Sequence, residues 1–254
     1  MTPRSGRRSQ RLSRAVQLAF LIAVLALWYL ATARWGVSHL LLPNPTSVLA
    51  ELEDVLASGE FMGDLRVTLT ELAAAFAIAA LGGVSLGYVV SRSPYSVRVI
   101  EPLLAGMYSI PIILFLPLYV LFFGLGPASK IALGATIGFF PVALNTIAGF
   151  GYVDRIYVVA ARSMGASGFQ LFRWVLLPAA LPVILTGLRM GFIVALLSIL
   201  GSETIASLAG LGHRIVHLAE AMETARMFAY IAFVVAIAAA LNFLVTVLEA
   251  RGRR

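Results

Sequence analysis

The sequence predicts an all-α polytopic membrane protein, and three observations carry that prediction. Of its 254 residues, 60% are hydrophobic and only 12% charged, with a mean hydropathy of +0.94. A soluble domain of this size has no means of hiding so much apolar surface. Six apolar stretches reach spanning length, about 20 residues each, at 15–32, 67–90, 102–123, 131–150, 179–200 and 227–248. None alternates polar with apolar residues, which separates these stretches from the strands of an outer-membrane barrel.

The first stretch follows an arginine-rich start, 1–14, and ends near Trp28-Tyr29, a pair suited to the membrane interface. A cleavable secretion signal is the competing reading, because Ala31-Thr32-Ala33 resembles a cleavage site; the length of the apolar core favours a retained span. In the second stretch Gly82, Gly83 and Gly87 offer thin faces for close helix packing. Pro111, Pro117 and Pro141, in the third and fourth, predict kinks, tolerated where neighbouring helices satisfy the freed carbonyls. The fifth carries Arg189, eleven residues past Pro178 and so about 16 Å along a helix axis. At that depth a guanidinium needs a partner or a water-filled path. The sixth leads to a basic tail, 251–254. No internal repeat is visible, so 15–250 reads as a single transmembrane domain.

A net charge of +7 and a pI near 10.2 would suggest nucleic acid in a soluble protein. Here the arginines gather at the ends and in short loops between apolar runs, which is a topology signal and not a phosphate groove. Lys and Arg on the side holding both termini and the loop 151–178 number 13, against 5 on the other side. The termini and that loop are therefore expected to be cytoplasmic. The opposite face carries Glu51, Glu53, Asp54, Glu60, Asp64, Glu220 and Glu223. With no cysteine in the chain, disulfide frameworks and Cys metal sites are excluded.

The polar loop 151–178 has an orderly pattern. Residues 156–164 read as a short helix with Gly165 as its left-handed cap. Ser167 and Gln170 form a capping box that starts a second helix. Phe169, Leu171, Phe172 and Val175 are placed to face the membrane, and Pro178 opens the next span. The product is a stiff helix–turn–helix joined directly to a transmembrane helix.

Within it, Val159, Ala160, Ala161, Gly165, Val175, Leu177 and Pro178 reproduce every interval of a known pattern: Glu-Ala-Ala, three residues, Gly, nine residues, Ile, one residue, Leu-Pro. It resembles the EAA loop of ABC transporter permeases of the binding-protein-dependent importer type. Val159 stands where that pattern has Glu, and Val175 where it has Ile. The segments "SIPIILFLPLYVLFFGLGPASKIAL" (109–133), "FFPVALNTIAGF" (139–150), "LPAALPVILTGLRMG" (177–191) and "SETIASLAGLG" (202–212) extend the resemblance, toward the nitrate/sulfonate/taurine branch.

That resemblance implies a type I ABC importer-like fold of about six helices, paired with a second copy of itself. The loop would seat on a separate cytoplasmic ABC ATPase dimer, and an extracytoplasmic solute-binding protein would deliver a small solute to the other face. The solute class implied is an organic or inorganic anion such as a sulfonate or nitrate; a vitamin precursor is the alternative. The chain is expected to need no cofactor of its own. A P-loop requires glycine-rich backbone N–H groups ahead of Lys-Ser/Thr, and the sole lysine, Lys130, is followed by Ile131. ATP and Mg would then belong to the partner ATPase.

Arg189 and Glu203 are the candidate residues of the translocation path. Glu71, near an outer interface and beside Arg66, is expected to pair with it or to snorkel. His213 and His217 share a helical spacing, but Arg214 occupies the position a zinc-binding H-E-x-x-H helix gives to Glu. An ion-coupled secondary transporter is the rival reading, and its inverted repeats and midplane carboxylates are not visible. A scaffold without transport would need neither glycine- and proline-rich spans nor a stiff loop.

Overall fold

The computed structural model describes residues 4–34 and 37–252. All regular elements among them are helical. The chain begins with α1 (Arg4–Ala33), α2 (Pro45–Ser58) and α3 (Glu60–Ser91). Next come α4 (Pro94–Tyr108), a 3₁₀ turn (Ile112–Phe115) and α5 (Leu116–Phe123). The remainder is α6 (Pro127–Gly151), α7 (Arg155–Ser163), α8 (Gly168–Leu171), α9 (Leu177–Ile205), α10 (Leu211–Glu220) and α11 (Thr224–Gly252). The side chains of the basic stretches 1–14 and 251–254 fall outside the described residues.

Among the described residues, four helical segments are long and apolar enough to span a bilayer: Glu60–Ser91, Pro127–Gly151, Gly168–Ile205 and Thr224–Val247. The stretch expected as one span at 102–123 is instead two pieces, Pro94–Tyr108 and Ile112–Phe123, bent by 71°. Pro111 lies at the break, where it supplies no N–H to continue the ladder, and Pro117 sits in the first turn of α5. Pro141 breaks nothing; α6 runs through it as one helix. The helix α1 contributes a shorter apolar segment, Ile22–Ala33.

Two compact units emerge. One runs up to Phe61 and includes Ile215–Phe233. Inside it the Trp28 Nε1–H donates to the Pro43 carbonyl at 3.0 Å, and the Trp28 ring lies 6.0 Å from that of Phe228. Phe61 meets the rings of Tyr230 and Phe233, and Arg226 reaches Glu60 at 3.3 Å and Asp54 at 3.6 Å. Sequence patterning did not anticipate α2. Its signals were nonetheless local: Asn44 caps the Thr46 N–H at 3.1 Å, Pro45 occupies the first turn, and Gly59 ends the helix at φ +71°.

The other unit comprises Met62–Arg214 and the chain from Val234 onward. At one end of it Thr68 of α3 bonds Glu203 of α9. At the other end Tyr88 of α3 meets Phe150 of α6 and Phe172 beside α9. Lys130, at the start of α6, interacts with Glu71 and Glu203. So α3 and α6 run parallel, with α9 antiparallel to both. A chain leaving α3 can enter a parallel α6 only by crossing back. The bent pair α4/α5 is therefore a broken span and not a re-entrant loop.

Glycines permit the tightest contacts. A Cβ at Gly191 of α9 would lie 2.5 Å from Val142 Cγ2 and 2.8 Å from the Gly138 carbonyl oxygen of α6. Gly83 and Gly87 of α3 abut Val142 and Thr146 in the same way. Small residues at such crossings let backbones approach and gain van der Waals contact where lipid gives no hydrophobic drive.

Candidate functional site

The loop 151–178 forms the element its sequence predicts. Asp154 opens α7 by accepting the Ile156 N–H at 2.9 Å. Its C-terminus is a Schellman turn: Gly165 N–H donates to the Arg162 carbonyl at 2.9 Å and Ala166 N–H to that of Ala161 at 3.0 Å. Gly165 sits at φ +81°. The Ser167–Gln170 capping box is present in both directions, at 2.8 and 3.3 Å. A π-helical turn (Phe172–Leu176) then carries α8 into α9 without a break. The second helix of the loop and the transmembrane helix α9 are thereby one continuous helical segment.

The side chains divide by face. Ala161 and Leu171 are buried and Phe172 packs on Tyr88 and Phe150, which fixes the element to the ends of α3 and α6. Val159, Tyr157, Met164, Phe169 and Trp174 are exposed. A groove of about 490 Å³ between α7 and the start of α9 is lined by Ala160, Ala161, Met164, Val175 and Pro178, among others. Of the residues expected on the membrane side, Leu171 is buried and Phe169 is exposed.

At the opposite end of the same unit lies a buried polar chain that local patterning did not reveal. Thr68 Oγ1 donates to Glu203 Oε1 at 2.7 Å and accepts the Leu211 N–H at 3.0 Å. The Gly212 N–H donates to Glu203 Oε2 at 2.7 Å. Gly210, at φ +106°, leaves room for that carboxylate, which a side chain there would strike. Glu71 lies beside Glu203, and the Lys130 ammonium interacts with both. Lys130 Nζ also donates to the carbonyls of Leu125 and Gly126. Glu71 and Glu203 are each 1% exposed and Lys130 not at all. The chain thus ties the turn before α6 to the turn before α10.

Two expectations change here. Glu71 does not pair with Arg66 at an interface; five residues apart on a helix, the two point to different faces, and Arg66 is exposed. Glu203, expected to line an exit, has both oxygens hydrogen-bonded inside this chain. Arg189 is half-buried midway along α9 and makes interactions within the chain. The structure brings the loop residues together but places Arg189 and Glu203 at different depths of α9.

Residues 65–254 match the family described as binding-protein-dependent transport system inner membrane component. The taurine transport system permease protein TauC of Escherichia coli (strain K12) is 34% identical over 247 residues, 94% of this chain and 90% of that protein. SsuC of Bacillus subtilis (strain 168), a permease protein assigned to aliphatic sulfonates, is 31% identical over 81% of this chain and 75% of its own. The formylaminopyrimidine transport permease protein ThiX of Halalkalibacterium halodurans is 30% identical over 76% of this chain and 77% of its own. Among solved structures, the inward-facing MetNI methionine ABC transporter superposes with a TM-score of 0.64 at 19% identity, covering 76% of this chain and 95% of that one. An amino acid ABC transporter crystallised with histidines gives 0.62 at 24%, covering 80% and 97%. At these identities the structural likeness speaks to fold.

Proposed function

This chain belongs to the family of binding-protein-dependent transport system inner membrane components, and from that premise we propose how its parts divide the work of import. It is a multi-pass permease of an ABC importer. In our reading two copies pair to enclose the path, both termini are cytoplasmic, and α7–α8 seats on a separate ABC ATPase dimer that binds ATP and Mg. A solute-binding protein docks on the opposite face. The observation that carries this reading is the stiff, doubly capped turn at Gly165 and Ser167, fused to α9 and presenting exposed apolar side chains. When the ATPase dimer closes, α7 and α8 ride with it and α9 follows as a rigid body. The dimer interface then opens toward the other face.

We assign the solute to the small organic anions, with sulfonates first. The support is the similarity to TauC and SsuC, permeases for taurine and aliphatic sulfonates, together with Arg189, the one guanidinium set deep in a span among the described residues. Arg189 would face the path, and Glu203 would act indirectly by fixing the turn before α10. ThiX supports a second reading, a pyrimidine vitamin precursor. The test is ATP-dependent uptake of labelled taurine into proteoliposomes holding the permease, its ATPase and its binding protein. We expect uptake that unlabelled alkanesulfonates compete, and that Arg189→Gln lowers about tenfold. Competition by formylaminopyrimidine alone would favour the second reading. Uptake driven by an ion gradient without ATP would overturn both.

A further inference from the structure

The helix α7 places Arg155, Val159 and Arg162 at i, i+4 and i+7, on one face, and all three are exposed. Val159 keeps 53% of its surface open despite being apolar. In the pattern this loop resembles, the middle position is Glu, which would sit between the two arginines and neutralise part of their charge from within the helix. Here that internal carboxylate is missing. The segment 151–178 contains three arginines and one acid, Asp154, and the Asp154 carboxylate is turned back to cap Ile156. No ion pair among the described residues engages Arg155 or Arg162. The stripe therefore presents an apolar centre between two uncompensated positive charges.

We propose that the ATPase surface receiving this stripe is apolar opposite Val159 and carries carboxylates opposite Arg155 and Arg162. A cation facing this position, which would suit a Glu, would meet only valine and two like charges, and like charges brought together across an interface select against the wrong partner. The stripe is thus a specificity element: it accepts ATPases with an acidic-rimmed apolar groove and rejects those built to grip a glutamate. This inference rests on the reading of α7–α8 as the ATPase-docking element.

The test uses the full-length permease in nanodiscs and the ATPase subunit that co-purifies with it, titrated at several salt concentrations. Val159→Glu should weaken association about tenfold, because a carboxylate is then pressed into an apolar surface and offsets the two positive charges that the rim carboxylates receive. Val159→Ile should stay within about twofold, since it keeps the apolar contact. Arg155→Gln with Arg162→Gln should weaken binding and flatten its salt dependence. Association tightened or unchanged by Val159→Glu, or a salt dependence untouched by the double glutamine variant, overturns the proposal. Failure of the unaltered chain to hold any ATPase overturns the docking reading beneath it, a different result.

Discussion

Lys130 is the only lysine in the sequence, and none of it reaches solvent. An ammonium in that position is expensive unless paired and hydrogen-bonded. The carbonyls of Leu125 and Gly126 accept its hydrogen bonds, and Glu71 and Glu203 are the carboxyl groups whose charge acts on it. Lys130→Met would remove the positive charge acting on two buried carboxyl groups and leave the Leu125 and Gly126 carbonyls without their donor, at a cost of about 1–3 kcal/mol. We expect a clear fall in the thermal unfolding midpoint in detergent, partly recovered when Glu71→Gln is added. A Lys130→Met protein that melts with the unaltered one would refute the polar chain. Neither this chain nor its geometry was legible beforehand. Its links join residues far apart, the Leu211 to Thr68 bond spanning 143 positions, and no local period specifies such partners. Glu71 could be found only as a carboxylate inside an apolar run.

At the scale of elements, signals that act within a few residues were readable and those that depend on neighbours were not. Gly165, Ser167 and Gln170 determine the turn between α7 and α8 through backbone caps, so the candidate docking element followed from sequence. Of the 71° bend between α4 and the following helix, a kink at Pro111 was legible and its size was not, because hydropathy measures composition and is blind to axis direction. Packing of α6 on α9 lies between these cases. Gly191 is visible in the sequence, but its opposing atoms are not. Gly191→Ala would force its methyl group into Val142 and the Gly138 carbonyl, and since backbone cannot yield as a side chain can, we expect a loss of about 1–3 kcal/mol. Gly63→Ala serves as the contrast: it lies in α3 with nothing within 4 Å of the added methyl, and alanine's helix propensity should leave stability equal or slightly higher, by up to about 1 kcal/mol. Comparable losses at both sites would show that the α6–α9 approach is not tight.

For the whole molecule, transport depends on which side of the bilayer each end of the bundle faces. From the arginine counts we expect the 151–178 loop on the cytoplasmic side, and the parallel course of α3 and α6 then puts the start of α3 at the opposite surface. The absence of native cysteine makes this directly measurable. Ser58 lies two residues ahead of α3 and Ser163 ends α7, and both are exposed. In intact cells with a permeable outer layer, Ser58→Cys should react with a membrane-impermeant maleimide, whereas Ser163→Cys should react only after the membrane is opened. Adding the ATPase subunit to opened membranes should then slow labelling of Ser163→Cys and leave Ser58→Cys unchanged. The order of these results matters, because sidedness and docking are separate conditions. Reversed labelling would put α7 and α8 where no cytoplasmic motor can reach them, whatever the family resemblance. Correct sidedness without protection would keep the topology and move the site of force transfer to another part of the cytoplasmic surface.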